Sequence, residues 1–366
     1  MYAVLFADSG LSEAGISSLF ALWSLTAFAL EVPSGVWADR FSRRALLFAA
    51  PLLAGAGFAL WTYQPGYASF AAGFVLWGAG TALRSGALQA LVHEGLTAAG
   101  AGGAYARLIG RSQAVGTTAA LAATALAGPL LGAGGYRAVG LASIAVTVLT
   151  ALAALRLPER RGGHGGPAQD EPGDGGLLRE ALAEARHTPG VAWMLAVVSL
   201  LAGAAALDEY VPLLARATGV GASLVPLLVL LVTAGATAGG WLAGRGMRWA
   251  PAAPAAAALC LAAGAGTASG HPAGLVAVAV AFGVFDWAGA AADARLQELL
   301  GDRTRATVTS LAGLGSEAAA LLLFGFWALG SRWAGPAPLF ALAGLPFLVA
   351  ALFLWWRNIP RGPRRQ

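Results

Sequence analysis

Gly35-Val36-Trp37-Ala38-Asp39-Arg40-Phe41-Ser42-Arg43-Arg44 closes one long apolar run, and the next opens at Ala45. Four charged residues fall within six positions of a chain that is only 11% charged. A weakened copy follows at Gly240-Trp241-Leu242-Ala243-Gly244-Arg245-Gly246-Met247-Arg248, with Gly35 and Gly240 separated by 205 positions. A second echo relates Ala87-Leu88-Gln89-Ala90-Leu91 to Arg295-Leu296-Gln297-Glu298-Leu299, at 208 positions. Two matches at nearly one spacing predict two related halves.

The surrounding composition fits a chain that lives in lipid. Of 366 residues, 58% are hydrophobic, and the mean hydropathy is +0.68. Soluble domains hold about 45–50% apolar and about 25% charged residues. The apolar excess comes in stretches of about 20 residues, the length of helix that spans a bilayer core. The alternating pattern of a membrane barrel is absent. The class is therefore all-α and polytopic. Spans are expected at 15–38, 45–63, 68–92, 108–131, 135–156, 190–214, 221–243, 250–269, 272–294, 307–330 and 336–356. Residues 1–8 are an apolar stub too short to cross, and the N-terminus lacks the basic region and core of a cleavable signal peptide.

Placing 39–44 in the cytoplasm and alternating the loops puts 19 of the 23 arginines on the cytoplasmic side, three opposite, and Arg84 within a span. That split supports the orientation by the positive-inside rule. It gives an N-terminal bundle at 1–156, a cytoplasmic linker at 157–188, a C-terminal bundle at 189–357 and a basic cytoplasmic tail at 358–366. Within the linker, Leu177–Arg186 has the spacing of a short amphipathic helix. A multi-pass plasma-membrane location follows.

Several chemistries are excluded. The net charge of +5 reflects arginine topology and not nucleic-acid binding. The chain has no lysine, hence no phosphate-loop lysine and no Schiff base. The single Cys260 cannot form an internal disulfide. His93, His164, His187 and His271 are scattered without metal-ligand spacing. No Gly-x-Ser-x-Gly elbow is present. No enzyme, metal or cofactor is expected.

Gly35-x-x-x-Asp39-Arg40-x-x-Arg43-Arg44 resembles the signature loop of the major facilitator superfamily, with Ser42 where Gly is usual. Glu31-Val32-Pro33-Ser34-Gly35 looks like the variant of drug-efflux-like bacterial members. Gly128-Pro129-x-x-Gly132 is similar to the antiporter motif, with Thr124 in place of a usual Gly. Arg305-Ala306-Thr307-Val308 looks like the start of the family's eleventh helix. The resemblance implies two pseudo-symmetric six-helix bundles, with the first helix truncated here to leave about 11 full spans. It also implies a monomer in the lipid bilayer that moves a small-molecule substrate by alternating access, as a proton-coupled exporter. A non-transporting membrane sensor or scaffold is the alternative, suggested by the short first helix.

The charged residues inside spans are the candidates for chemistry, because a charge at a span centre costs about 2.5–3.5 kcal/mol on insertion scales. Glu31 lies eight residues before Asp39, roughly 12 Å into the membrane. It is either a proton or cationic-substrate site or a carboxylate bonded to backbone that Pro33 exposes. Asp208 and Glu209 form an adjacent pair, with Glu209 favoured to face a cavity. Asp286 and Glu317 are further candidates for proton coupling or substrate binding. Arg84 either pairs with a carboxylate or binds an anionic substrate. The resemblance makes Gly35, Asp39, Arg40, Arg43 and Arg44 parts of a cytoplasmic gate, with Glu94 a partner for Arg43 or Arg44. Trp23, Trp77 and Trp287 either line an aromatic cavity or pack.

Overall fold

The computed structural model describes residues 2–98, 100–101, 104–157, 190–243, 252–300 and 305–358. Each of the eleven expected spans is helical over most of its described residues, and the described residues contain no strand. In chain order the helices are α1 (Tyr2–Asp8), α2 (Glu13–Arg40), α3 (Arg43–Tyr63), α4 (Tyr67–Ala98) and α5 (Tyr105–Ala154). After the linker come α6 (Val191–Gly203), α7 (Val211–Ala217), α8 (Val225–Ala243) and α9 (Ala253–Ala268). The last are α10 (Gly274–Leu299), α11 (Arg305–Gly330), α12 (Pro336–Ala343) and α13 (Leu345–Asn358).

Among the described residues, seven helical stretches are long and apolar enough to cross a membrane. One of them, Gly110–Ala154, runs for 45 residues, more than twice what one crossing needs. It breaks at Gly134 and Gly135, where Gly135 has φ +62°, a left-handed conformation that glycine adopts without steric cost. The break separates the two crossings expected at 108–131 and 135–156. The remaining expected crossings fall on α4, on the shorter α9 and on α12 with α13.

The crossing expected at 190–214 is not one α-helix. A 3-10 segment, Ala204–Tyr210, separates α6 from α7. Pro212 sits at the start of α7, and its ring excludes a regular bond to the carbonyl four residues earlier, at Asp208. Pro346 similarly follows the break at Gly344 between α12 and α13.

The chain divides into two compact units, Met1–Gly165 and Gly166–Gln366. The division falls inside the expected linker 157–188. Apart from its first residue, Leu157, that linker lies outside the described residues, as do its expected amphipathic helix, most of the charged copy at 240–248 and the basic tail after Asn358.

In unit 1, α4 packs against α2 and α3, and α3 packs against α5. The stub α1 is docked by aromatic rings. Phe6 stacks 4.1 Å from Phe70, and Tyr2 lies against Trp61, Phe74 and Trp77. Tyr136 donates a 2.6 Å hydrogen bond to the Asp8 carboxylate, tying the end of α1 to the second arm of α5. In unit 2, α10 packs on α6, α8 and α9, and α11 packs on α6. The α8–α10 crossing is close because Gly235 and Gly239 face Ala279 and Gly283, where any Cβ would collide with backbone. Small residues are the usual means of close helix approach in lipid, where burial gives no drive to associate. Tyr210 and Trp327, both fully buried, stack at 3.9 Å in the same unit.

Many large apolar side chains stay exposed, among them Val115, Leu149, Leu322 and Leu352. In a chain of membrane-length helices, apolar exposure of this kind suits a lipid surround, since it carries no charge to desolvate.

Candidate functional site

The opening stretch forms a very tight junction. The backbone is helical through Arg40, non-helical at Phe41 and Ser42, and helical again from Arg43. The Phe41 N–H closes α2 by donating to the Trp37 carbonyl at 2.8 Å. The Ser42 hydroxyl caps α3 by accepting from the Ala45 N–H at 3.1 Å. Serine is among the preferred N-caps because it satisfies a backbone donor that the first helical turn leaves open. Its φ of −59° requires no glycine, which explains how Ser42 is accommodated where the family usually has Gly. Arg40 and Arg44 are exposed and Arg43 is half-buried. The side chains of Gly35, Asp39 and Glu94 lie outside the described residues, so the rest of the expected gate does too.

Glu31 is exposed on α2, which continues through Pro33. The Ser34 hydroxyl donates to the Glu31 carbonyl at 2.7 Å.

Unit 1 contains a cavity of about 450 Å³ formed by α3, α4 and the second arm of α5. This lies in the usual size range of small-molecule sites, roughly 300–1,000 Å³. Its walls are mostly Leu, Ala, Pro, Phe58 and Trp77, and Arg84 is the single ionised side chain among its described lining residues. Thr147 and Thr150 also line it, but their hydroxyls donate to Ile144 and Val146 carbonyls in their own helix. Phe58 and Trp77 line a second cavity too, of about 240 Å³, which reaches Tyr2 and Tyr136. Trp77 stacks on Trp23 at 5.1 Å, so Trp23 belongs to the aromatic packing and Trp77 both packs and lines the cavities.

In unit 2, Asp208 and Glu209 lie in the 3-10 segment after α6, and Asp286 lies on α10. The Asp286 carboxylate feels the charge of Asp208. α10, which carries Asp286, packs on α6, whose C-terminal end leads into the segment with Asp208, 78 positions earlier in the sequence. Asp208 is exposed and Glu209 half-buried; the charge that Asp286 feels is that of Asp208, and Glu209 has an interaction of its own. Glu317 is exposed on α11 and sits apart from neither water nor partners. Trp287 is buried, and its indole N–H has no hydrogen-bond partner among the described residues. No group of three or more His, Cys, Asp or Glu side chains is placed to hold a metal among the described residues.

Reasoning from sequence missed the Asp208–Asp286 pairing and the shape of the Arg84 cavity, because both depend on which helices become neighbours. Pro212 was a legible sign that helix geometry changes near Asp208.

A comparison with curated protein sequences finds no match. Among solved structures, one similar chain is a bacterial homolog of the human lysosomal transporter Spinster, in an inward-facing and unoccupied conformation. It is 17% identical, with TM-score 0.66, and the match covers 97% of this chain and 92% of that one. The nucleoside transporter NupG is 11% identical, with TM-score 0.72, covering 98% of this chain and 94% of its own. These likenesses establish the fold. The family model described as Major Facilitator Superfamily matches residues 1–273, three quarters of the length, and the chain belongs to that superfamily.

Proposed function

We propose that the chain is a secondary active transporter that exports a small molecule by alternating access, in exchange for protons. Membership of a transporter superfamily supports transport, and the Asp208–Asp286 pair supports coupling. A proton taken up by two neighbouring carboxylates relieves their like-charge repulsion. Coupling then requires that the pair bind the proton with different affinity in the two access states, because a ligand shifts an equilibrium only through differential affinity. The resemblance of Gly128-Pro129-x-x-Gly132 to the antiporter motif supports exchange, and Pro129 lies inside the first arm of α5.

Cargo is identified by expressing the chain in an efflux-deficient host and screening growth against a compound panel. Flux of the protective compound is then measured in inverted vesicles with and without a proton gradient. Gradient-driven flux is expected to vanish on adding a protonophore. Asp286→Asn is expected to reduce it at least tenfold while leaving gradient-independent counterflow. Glu31→Gln is the parallel test of the other coupling candidate. Flux indifferent to the gradient would remove proton exchange, and unchanged gradient-driven flux in both variants would remove these carboxylates from it.

A further inference from the structure

Arg84 lies where a cation is hard to explain without an anionic partner. Counted from residue 92, where its expected span ends, it lies eight residues in, about 12 Å deep at about 1.5 Å per residue, and its side chain is exposed. A charge at that depth is costly without a partner or a route to water. Among the described residues, Arg84 has no ion pair or hydrogen bond. It opens into the unit 1 cavity, whose described lining residues include no carboxylate, and whose Thr147 and Thr150 hydroxyl protons are directed to backbone carbonyls.

The rest of the lining sets the shape of a partner. Trp77, Thr81, Arg84 and Leu88 all line the cavity, and they recur at helical spacing along one stripe of α4. Trp77 precedes Arg84 by two turns, a rise of about 10 Å. Phe58 of α3 meets Trp77 edge to face at 5.5 Å, giving the far end an aromatic wall. The cavity therefore has one cationic pole and, about 10 Å away, an aromatic and aliphatic floor.

We propose that unit 1 holds a binding site for an organic anion, its charged head paired with Arg84 and its apolar body lying against Trp77 and Phe58. The proposal names the cargo class of the transport reading and rests on that reading only in calling the occupant cargo. A guanidinium suits a carboxylate, sulfonate or phosphonate head because its planar fork donates two parallel hydrogen bonds. An ammonium-bearing compound of the same shape would meet like charge, with threonine hydroxyl oxygens as the acceptors among the described lining residues.

The test is equilibrium binding to the purified full chain in detergent, using probes that share one body. Biphenyl-4-carboxylate and its sulfonate and phosphonate analogues carry the anion; biphenyl-4-methanol is neutral; 4-phenylbenzylamine is cationic. At least one anion is expected to bind at least tenfold more tightly than the alcohol, with the amine weakest. Arg84→Gln should erase the preference for the anion while leaving alcohol binding unchanged. Arg84→Lys should retain part of it, since the charge stays and the fork is lost, and it serves as the second variant if Arg84→Gln fails to give a cooperative thermal transition. Trp77→Leu should weaken anion and alcohol alike. Equal affinity for anion, alcohol and amine, no binding of any anion, or an anion preference that survives Arg84→Gln would overturn the proposal. Flux is not read here: anion binding that depends on Arg84 in a chain that moves nothing would sink the transport reading and leave the site standing.

Discussion

Ser42 shows how one residue reconciles a family pattern with local chemistry. Its φ needs no glycine, and its hydroxyl caps α3. Ser42→Gly is therefore expected to cost only a few tenths of a kcal/mol, and Ser42→Ala about 1 kcal/mol, because alanine neither caps nor relaxes the backbone. Thermal unfolding in detergent would rank the variants, and an alanine variant as stable as the glycine one would show that the cap contributes nothing. At this scale much was legible. The charged positions stood out as costly in lipid, and Arg84, Asp208 and Asp286 are found lining a cavity or meeting another charge. What was not legible is that Asp286 feels the charge of Asp208, since that depends on where α10 packs.

Among the elements, lengths and breaks were readable from apolar runs and from Gly and Pro. Gly134-Gly135 marked the division of α5, and Pro212 and Pro346 stand beside the other breaks. Pairing between helices was not readable, because an exposed lipid face and a buried one are equally apolar, so hydropathy carries no face signal. Small residues give a partial clue only after a partner is known. At the α8–α10 crossing a side chain on Gly239 would strike the Gly283 backbone, so Gly239→Val is expected to destabilise unit 2 by about 1–3 kcal/mol, the usual cost of overpacking. Gly240→Val, one position away with nothing near its Cβ, should cost much less. Unfolding midpoints of the two variants side by side would check this, and equal losses would mean the crossing tolerates extra volume.

For the whole molecule, the all-helical membrane class was visible in the sequence, through its apolar runs and its arginine distribution. The same distribution predicts topology. In a Cys260→Ala background, Gly10→Cys in the turn after α1 should react with a membrane-impermeant maleimide on intact cells. Gly163→Cys in the linker should react only after permeabilisation. The reverse pattern would invert every loop assignment.

Phe41 and Ser42 are the whole connection between α2 and α3, and each is committed to a helix end. A hinge needs slack, and this junction has almost none. It is expected to act as a crank: turning the inner end of α2 would swing α3 with it, carrying Arg40, Arg43 and Arg44 as a single charged knuckle.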